Sequence, residues 1–570
     1  MKKQWKLLRP DPQMVRRICR HLRCSPVTAT ILANRGIVDE AGADDFFNPS
    51  LGHLTPPFTL PDAWPAVRRI QDALSENEKI LVFGDYDVDG VTATALMVHF
   101  LSGIGAHVSH HIPHRTQEGY GLDESHITDV AVPAGVKLII TVDCGSASHT
   151  AVEAARRAGI DVIVTDHHHV GASMPNALAV VNPNRPDCSS GLKALSGVGV
   201  AFSLLVCLRK ALREQDFWSR STEPPLSAYL DLVALGSIAD MVPMRKDNRI
   251  LTRKGIDLIN RAPRPGVRAL LTAAGLGQGP IEADHIAFRL APRINAAGRM
   301  DHARKALDLF LCNDALQADD IAQQLNLLNT NRQKVENHVM AQALDQLARS
   351  PDLLQPNSVV LADPDWHEGV LGIVASKLAN RFHRPVAVLC DSAGMLKGSA
   401  RSIPGIHLLN ALSACATHLE NYGGHALAAG LRLNRRQLTQ FRQCFEQCVG
   451  DLTDPSTLIP QVIIDCELFF DQISDSLIDE LTCLQPFGSG NPAPLFLAKN
   501  IEVVSWSPVG DNHRRMVLRQ AGTPTRKLAA IWFNADNSQP AREIYHQIAF
   551  QLQWNHWNGN KYPQLLIVET

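Results

Sequence analysis

The segment Ile80-Leu-Val-Phe-Gly-Asp85-Tyr-Asp-Val-Asp-Gly90 decides how the rest of the chain is interpreted. Its leading apolar residues predict a strand buried on both faces, because neither face carries a polar side chain. Three carboxylates follow at alternate positions, those of Asp85, Asp87 and Asp89, and a helical pattern begins directly after them. Carboxylates held this close repel one another unless a cation offsets the repulsion. The segment therefore predicts either a site for hard Mg²⁺ or Mn²⁺ ions or a solvated acidic turn.

The composition limits the class of protein. The chain has 570 residues, is 45% hydrophobic and carries a formal net charge of −2. Its length predicts several domains, and its balanced charge means that any nucleic-acid contact must come from local patches. No stretch reaches about 18 uninterrupted apolar residues, and the basic start of the chain lacks the apolar core of a signal peptide. We therefore expect a cytoplasmic protein with no membrane association.

The twelve cysteines are spread singly through the chain. The closest pair, Cys444 and Cys448, lies on a predicted helix, and no histidine or further cysteine stands near it in the sequence. This spacing matches neither a disulfide framework nor a zinc motif. We therefore expect reduced, mostly buried thiols.

Downstream of the acidic segment, short apolar runs alternate with helical patterns, which indicates βαβ units and a parallel sheet. One run ends at Asp143, another at His167 and His168, and a helix ends at Asp240. Taken singly, each motif also fits an ordinary turn or polar loop. Open parallel sheets, however, bind ligands beyond the carboxyl ends of their strands. We therefore expect these side chains to assemble into one site, with the mixed carboxylate and imidazole ligands that suit two divalent cations.

Changes of pattern along the chain predict an α/β protein with five parts. These are an N-terminal helical segment at 1–60, a parallel-sheet domain at 61–300, a connecting helix at 301–350, a second α/β domain at 351–452 and a small β-barrel at 453–570.

Several motifs resemble those of the DHH phosphoesterase superfamily, namely Asp85-Tyr-Asp-Val-Asp-Gly, Asp143-Cys-Gly and Asp166-His-His. Other motifs narrow the resemblance to the RecJ single-strand-specific exonucleases. They are Glu118-Gly-Tyr-Gly121, Ser196-Gly-Val-Gly-Val-Ala, Pro292–Met300, Trp366–Lys377, Lys397-Gly-Ser-Ala-Arg-Ser, Gly423–Gly430 and Pro486–Pro492. The resemblance runs from about residue 40 to the C-terminus. It implies that the parallel-sheet domain is a DHH domain, the second domain is DHHA1-like and the barrel is an OB-like nucleic-acid-binding domain.

The resemblance also implies roles for the residues of the site. Metal ligands would be Asp87, Asp89, Asp143, His167 and Asp240, with Asp143 as the bridge. Catalytic roles would belong to Asp85 and His168, as a general acid or as groups that orient water or a ligand, and to His425, as a donor to the scissile group. His169 stands where the family usually has an apolar residue, and we assign it to a loop.

Substrate contacts follow from the same resemblance. Positions associated with the nucleic-acid backbone and the 5′ end are Arg115, Arg293, Ser399 and Arg401, with Asn295 a weaker candidate. Arginine suits phosphate because its planar guanidinium binds bidentately, although an isolated arginine would more simply form a surface salt bridge. In the barrel, aromatic and basic residues would either stack on bases or fill the core. They are Trp506, His513, Arg514, Arg515, Trp532, Trp557 and Lys561.

The function implied by the family is a Mn²⁺- or Mg²⁺-dependent exonuclease that degrades single-stranded DNA from its 5′ end in recombinational and mismatch repair. Expected partners are single-stranded DNA, a single-strand-binding protein and a DNA helicase, and we expect a monomer. Two alternatives are a phosphodiesterase for short oligonucleotides or small phosphoesters and a non-catalytic DNA-binding scaffold. The OB-like region argues against the first, and the complete ligand set argues against the second.

Overall fold

The computed structural model describes residues 3–171, 173–220, 222–277, 279–392, 394–510, 512–522, 526–535, 543–557 and 559–570. It forms two compact units, which are described separately. The larger comprises Leu7–Gly298, His302–Asn326 and Ile463–Thr570, and the smaller comprises the segment up to Lys6, Arg299–Asp301 and Leu327–Val462.

The larger unit begins with a short strand and three helices. They are β1 (Gln4–Leu7, which starts in the smaller unit), α1 (Pro12–Leu22), α2 (Pro26–Asn34) and α3 (Glu40–Phe47). Each helix starts where a side-chain oxygen accepts from a backbone N–H of its first turn, those oxygens belonging to Asp11, Ser25 and Asp39. Such caps satisfy amide groups that have no partner within the helix.

A five-stranded, fully parallel sheet follows, in the order β3-β2-β4-β5-β6. Its elements are α4 (Ala63–Ser75), β2 (Lys79–Gly84), α5 (Val88–Gly103), β3 (His107–His111), α6 (Glu124–His126), β4 (Leu138–Val142), α7 (His149–Arg157), β5 (Asp161–Thr165) and β6 (Ala179–Val181). The register pairs Gly84 with Val142 and Val142 with Thr165, so β2, β4 and β5 end level with one another. The residues that follow these strands therefore leave the sheet at one edge, as predicted.

A helical layer completes this part of the larger unit. It contains α8 (Gly197–Glu214), α9 (Leu230–Ala239), α10 (Lys246–Arg261), α11 (Pro265–Ala273), α12 (Ala283–His285), α13 (Ala291–Met300) and α14 (Arg304–Leu311). Helix α5 packs against both α8 and α9. Helices α9 and α10 approach closely because Gly255 has no side chain: a Cβ there would lie 2.1 Å from the carbonyl oxygen of Leu230.

The helical stretch expected over 301–350 is divided. Helix α14 ends at Leu311, and α15 (Ala315–Arg349) leads from the larger unit into the smaller one. Asp314 explains the break, because its carboxylate accepts a hydrogen bond from the Gln317 amide and so caps a new helix.

The smaller unit contains a mixed sheet in the order β10-β11-β9-β8-β7, in which β7 and β8 are parallel and the other neighbours antiparallel. The elements of this unit are β7 (Val359–Ala362), α16 (Leu371–Phe382), β8 (Val386–Ser392), β9 (Met395–Arg401), α17 (Leu408–Ala414), β10 (Asn421–Gly424), β11 (Ala428–Asn434) and α18 (Leu438–Leu452). Strand β12 (Gln461–Ile464) follows, pairs with β1 and ends in the larger unit. Alternate residues of β8 enter two cores, one shared with α15 and α16 and one with α17 and α18. The predicted second α/β domain is confirmed.

The C-terminal part of the larger unit is a closed barrel. Its elements are β13 (Cys466–Glu467), α19 (Asp475–Cys483), β14 (Phe496–Val509), β15 (His513–Gln520), β16 (Lys527–Phe533), β17 (Ile544–Trp557) and β18 (Asn560–Glu569). The strand order is β14-β15-β16-β18-β17, and a further pairing of β14 with β17 closes the five strands. The predicted barrel is therefore confirmed. The side chain of Trp557 lies outside the described part of the structure.

The barrel shares its hydrophobic core with the N-terminal helices. Ile18 of α1 and Leu32 of α2 belong to the same cluster of buried residues as Phe496 and Phe550 of the barrel strands. The fully buried Arg249 of α10 ties these parts together. Its guanidinium donates to the carbonyl oxygens of Phe46, Cys483 and Leu484.

Candidate metal centre and substrate contacts

The acidic and histidine motifs meet at the carboxyl edge of the parallel sheet. Their potential ligand atoms form three groups, within each of which all of these atoms lie within 4.8 Å of one another. The groups are Asp85, Asp87 and Asp143; Asp143, His167 and His168; and Asp89, His167 and Asp240. Asp143 and His167 each belong to two groups, so the three form one continuous site.

Two helix N-termini position the carboxylates that follow β2. Asp87 caps α5, and its Oδ1 accepts from the amides of Asp89 and Gly90 at 3.0 and 3.1 Å. Asp89 is turned toward α8, where its two oxygens accept from the amides of Gly197 and Val198 at 2.6 and 2.9 Å. The backbone therefore fixes both side chains before any ligand binds, and the helix ends favour their negative charge.

Glycines allow the carboxylates to sit this close to the backbone. A Cβ on Gly197 would lie 2.4 Å from Oδ1 of Asp143, and one on Gly236 would lie 2.6 Å from Oδ1 of Asp89. Side-chain atoms essentially never approach this closely, so any larger residue would displace a carboxylate.

The loop after β5 holds its two histidines differently. His167 Nδ1 lies 3.1 Å from the Leu195 carbonyl oxygen, which can only accept, so Nδ1 carries the hydrogen and Nε2 is bare. His167 Nε2 lies 3.1 Å from Asp143 Oδ1. This is the orientation that a histidine ligand requires.

His168 is instead held by a carboxylate that our sequence prediction did not assign to the site. Asp166 Oδ1 lies 2.8 Å from His168 Nδ1 and also accepts from the amides of His167 and His168. Its other oxygen accepts from the Ser146 amide at 2.9 Å. Asp166 therefore positions both histidines, and its place at the head of the Asp166-His-His motif was the available signal.

Burial and mutual repulsion make the carboxylates hard to ionise together. Burial and neighbouring carboxylates raise the pKa of Asp85, Asp89 and Asp143 well above the usual value. Burial and the charge of Asp87 raise the pKa of Asp240 to about 7. A cluster of this kind is strongly favoured to bind positive charge.

The two histidines differ in charge as well. Burial, reinforced by the charge of His168, lowers the pKa of His167 to about 4, so its imidazole is neutral near pH 7. Burial also lowers the pKa of His168, but the hydrogen bond with Asp166 outweighs it and raises that pKa to about 9. His168 is therefore a cation beside the cluster, paired with Asp166.

The donor set fits a pair of hard divalent cations. Within the part of the chain that the structure describes, three buried atoms of the site have no hydrogen-bond partner: Asp85 Oδ1, Asp143 Oδ1 and His167 Nε2. A buried polar atom without a partner is unfavourable and rare. Carboxylate oxygens with a neutral imidazole are ligands that Mn²⁺ accepts, and the carboxylates suit Mg²⁺.

The loop after β3 carries Arg115 toward the same edge. Its guanidinium carbon lies 4.8 Å from the centre of the Tyr86 ring, which is part of the acidic segment. Glu118 fastens the loop, because its Oε2 lies 3.1 Å from His111 Nε2 and 2.9 Å from His126 Nε2. We did not predict this role for Glu118, although its motif was visible in the sequence.

Tyr120 of the same loop reaches the histidine pair. Its hydroxyl donates to the Asp143 carbonyl oxygen at 3.4 Å and lies 3.2 Å from His168 Nδ1. Tyr120 was likewise absent from the predicted site, and the Glu118-Gly-Tyr-Gly motif was the signal for it.

Helix α13 adjoins the acidic segment. A Cβ on its Gly298 would lie 3.1 Å from the Tyr86 carbonyl oxygen, so the helix packs closely there. Arg293 and Asn295 lie on this helix and are partly exposed. Arg293 donates to Asn326 Oδ1 and to the Arg289 carbonyl oxygen.

Three predicted residues lie in the smaller unit. Arg401 of β9 donates to the Ser399 hydroxyl at 2.8 Å. The strand register places Ser399 beside Gly430 and Gly430 beside Gly423, and the space where a side chain would stand on either glycine is open. His425 lies exposed in the β10–β11 turn. The three predicted side chains form a polar surface, next to glycine backbone that no side chain of the described residues covers.

The barrel pairs aromatic rings with cations. The Arg514 guanidinium carbon lies 4.9 Å from the Trp506 ring centre and 5.9 Å from that of Trp532. Lys561 Nζ lies 4.3 Å from the centre of the Trp554 ring. Trp506 is 39% exposed, so its ring is accessible. The partly exposed His513 and the exposed Arg515 lie on the adjoining strand β15.

Three family models match the chain. The N-terminal domain of the DHH family covers residues 79–237, the DHHA1 domain covers 355–451 and the RecJ OB domain covers 464–569. Among the described residues, no helix is long and apolar enough to cross a membrane.

Relatives of known name span most of the chain. The single-stranded-DNA-specific exonuclease RecJ of Dickeya dadantii is 40% identical over 88% of this chain and 89% of its own length. The protein of the same name from Escherichia coli is 39% identical with the same coverage. That from Bacillus subtilis is 34% identical over 100% of this chain and 71% of its own length.

Solved structures agree. The Mn²⁺ complex of RecJ from Thermus thermophilus matches with a TM-score of 0.83 at 31% identity, covering 99% of this chain and 79% of that one. Its Mg²⁺ complex matches with a TM-score of 0.78 at 30% identity, covering 99% and 78%. The predicted cofactors and the predicted architecture are confirmed. The chain belongs to the RecJ family of metal-dependent exonucleases.

Proposed function

We propose that this chain hydrolyses single-stranded DNA from the 5′ end and releases 5′-mononucleotides. The observation that carries the proposal is the continuous carboxylate and imidazole cluster, in which three buried ligand atoms lack a partner among the described residues. The names of the relatives, which are single-stranded-DNA-specific exonucleases, support the choice of substrate.

In this proposal the cluster holds two Mn²⁺ or Mg²⁺ ions. The ligands are Asp87, Asp89, Asp143, His167 and Asp240. Asp143 is the bridging ligand, because its oxygens lie within reach of both Asp85 and Asp87 on one side and His167 on the other. When bound, such a pair activates water and neutralises the charge that develops on the phosphate.

Asp85 and His168 act beside the ligands. Asp85 Oδ1 is buried and has no partner within the described structure, so it can accept a hydrogen from the attacking water and orient it. His168 is fixed through Nδ1 by Asp166, and its pKa of about 9 makes it a cationic donor for a phosphate oxygen. Both roles depend on position, since each side chain lies next to a ligand.

Cations outside the cluster hold the DNA. Arg115 stacks on Tyr86 at the acidic segment and contacts the phosphate next to the scissile bond. Ser399 and Arg401 take the 5′ phosphate, because the bare backbone at Gly423 lets an anion approach closely.

The remaining predicted contacts extend this track. His425 donates to the scissile group, and Arg293 contacts the nucleic-acid backbone, with Asn295 as a weaker candidate. The exposed Trp506 stacks on bases in the barrel, and the buried Arg514 lies against its ring. We further propose a cytoplasmic monomer that serves recombinational and mismatch repair with a single-strand-binding protein and a DNA helicase. The family resemblance supports this last step.

The test uses 5′-labelled single-stranded DNA with Mn²⁺. Wild type should release labelled mononucleotides, and Asp143→Ala should lower the rate by roughly a thousandfold or more, since several kcal/mol of transition-state stabilisation is lost. Asp72→Asn, on the exposed face of α4, is the matched control and should act like wild type.

Different outcomes identify the alternatives. Release of label from dinucleotides but not from long strands would favour a phosphodiesterase for short oligonucleotides. Intact label with wild type and with Asp143→Ala alike would favour a scaffold that binds DNA without cutting it.

A further inference from the structure

Three cysteines meet in the smaller unit, and none of them belongs to the predicted metal centre or to the predicted DNA contacts. Cys415 ends α17, and Cys444 and Cys448 stand one turn apart on α18. The sulfur of Cys448 lies 3.9 Å from that of Cys415 and 3.8 Å from that of Cys444, and all three lie within 4.8 Å of one another. We propose that these thiols form a binding site for a thiophilic metal ion, of the class of Zn²⁺ or Cu⁺.

The sulfur separations suit such an ion. A bond of about 2.3 Å from zinc to each sulfur places two sulfurs about 3.8 Å apart at a tetrahedral centre and about 4.0 Å apart at a trigonal one. The two measured separations fall in this range without any movement of the backbone. The third is closed by rotation of side chains, because its sulfurs already lie within 4.8 Å.

The three cysteines lie at the edge of a packed core, where solvent can reach two of them. Cys415 is fully buried, whereas Cys444 and Cys448 are partly exposed, so the cluster has a dry side and an accessible side. Helix α18 is anchored by Phe441 and Phe445, which lie in the same core as Cys415. A preformed and accessible set of ligands is what a metal site needs.

The chemistry favours soft cations over the hard ions of the DHH centre. Among the described residues, no histidine or carboxylate joins the three sulfurs, so a bound ion has three protein ligands and at most a solvent molecule besides. Thiolates select Zn²⁺ and Cu⁺, while Mg²⁺ prefers oxygen. Each thiol that binds the ion loses its proton to solvent, so binding strengthens as the pH rises.

The site has a structural consequence for this unit. It would join the end of α17 to α18, directly before the segment that leads into β10 and Gly423. A bound ion would therefore stabilise the helices next to the segment that carries Gly423, at the predicted phosphate contact.

The test titrates Cd²⁺ into the reduced full-length protein in excess Mg²⁺, which occupies the oxygen ligands. Cd²⁺ bound by thiolates gives a charge-transfer band in the ultraviolet, and we expect one equivalent in wild type. Cys448→Ser and Cys444→Ser should lose the band, and neither is expected to unfold the protein because both side chains are partly exposed. The exposed Cys483→Ser is the matched control and should keep it.

Two further measurements distinguish binding at these thiols from binding of Cd²⁺ elsewhere on the protein. Asp143→Asn should keep the band, because the DHH centre is in the other unit. The same Cd²⁺ concentration should raise the unfolding temperature of wild type but not of Cys448→Ser. The proposal would be overturned by a band that persists in Cys448→Ser or by the absence of a band in wild type. It would also be overturned if two of the three thiols formed a disulfide in the protein without metal.

Discussion

The acidic cluster of the larger unit and the Ser399–Arg401 surface of the smaller one handle charge in opposite ways. The first buries several carboxylates with raised pKa values and leaves ligand atoms without partners among the described residues, so it depends on bound cations. The second supplies its own cation and leaves open space beside bare backbone. The first region therefore suits cations, and the second has the features expected of the anion site that we propose.

Removing the divalent cations should have the largest effect. Chelation with EDTA should reduce DNA hydrolysis to background, and Mn²⁺ should restore it. Without metal, Asp143→Asn should melt at a higher temperature than wild type, because one of the mutually repelling carboxylates is gone. Melting curves with EDTA and with Mn²⁺ check this. A lower melting temperature for the variant under both conditions would contradict the description of the cluster.

Arg401→Ala should weaken binding more than chemistry. Loss of a charged hydrogen bond to phosphate costs about 1.5–3 kcal/mol, which corresponds to roughly a 10- to 150-fold higher KM for 5′-phosphorylated strands. The maximal rate should change little. Arg432→Ala, on the neighbouring strand, is the control. Equal losses for DNA with and without a 5′ phosphate would argue against an anion site there.

Glycine-to-alanine substitutions should affect the two regions differently, because only the second region has room for a Cβ. Gly197→Ala should destabilise the protein by about 1–3 kcal/mol, because its Cβ has no room beside Asp143. Gly423→Ala should leave stability nearly unchanged, since the space there is open, but should weaken DNA binding. Urea unfolding and a binding titration measure both quantities. If Gly197→Ala is as stable as wild type, the metal centre is not packed as closely around Gly197 as described.

Glu118→Gln should have the smallest effect, and one that depends on pH. Burial raises the pKa of Glu118, but hydrogen bonds from the His114 amide and from His111 and His126 outweigh it and lower that pKa from 4.5 to about 2. A carboxylate with a depressed pKa stabilises the folded state above its unfolded value and loses that contribution as the pH falls. Wild type should thus be more stable than the variant near pH 7, and the difference should vanish between pH 4.5 and about 2.

Free energies of unfolding in urea, measured for both proteins across this range, check the prediction. A difference that is constant with pH would show that Glu118 stabilises the loop by packing and not by charge.

The sequence predicted that the motifs at Asp85–Asp89, Asp143 and His167–His168 cluster, because these residues follow strands that end in register. It could not show that Asp166 holds His168 or that Gly197 must lack a side chain, since these depend on contacts between distant segments. The same holds for Cys415, which lies 33 residues from Cys448 in the chain and 3.9 Å from it in space. Asp314, which caps α15, was a local sign that a new helix begins there. The sequence alone could not show that this cap interrupts the otherwise continuous helical pattern.

The shared core of α1–α3 and the barrel has a consequence for biosynthesis. Helices α1 and α2 precede the barrel in the chain, and they bury Ile18 and Leu32 against strands that emerge hundreds of residues later. Until then their apolar faces stay exposed to other chains and to chaperones. This core therefore forms late, because its residues are far apart in the chain and contacts of this kind form slowly. A ribosome stalled before the barrel would leave an N-terminal segment that cannot complete its own fold.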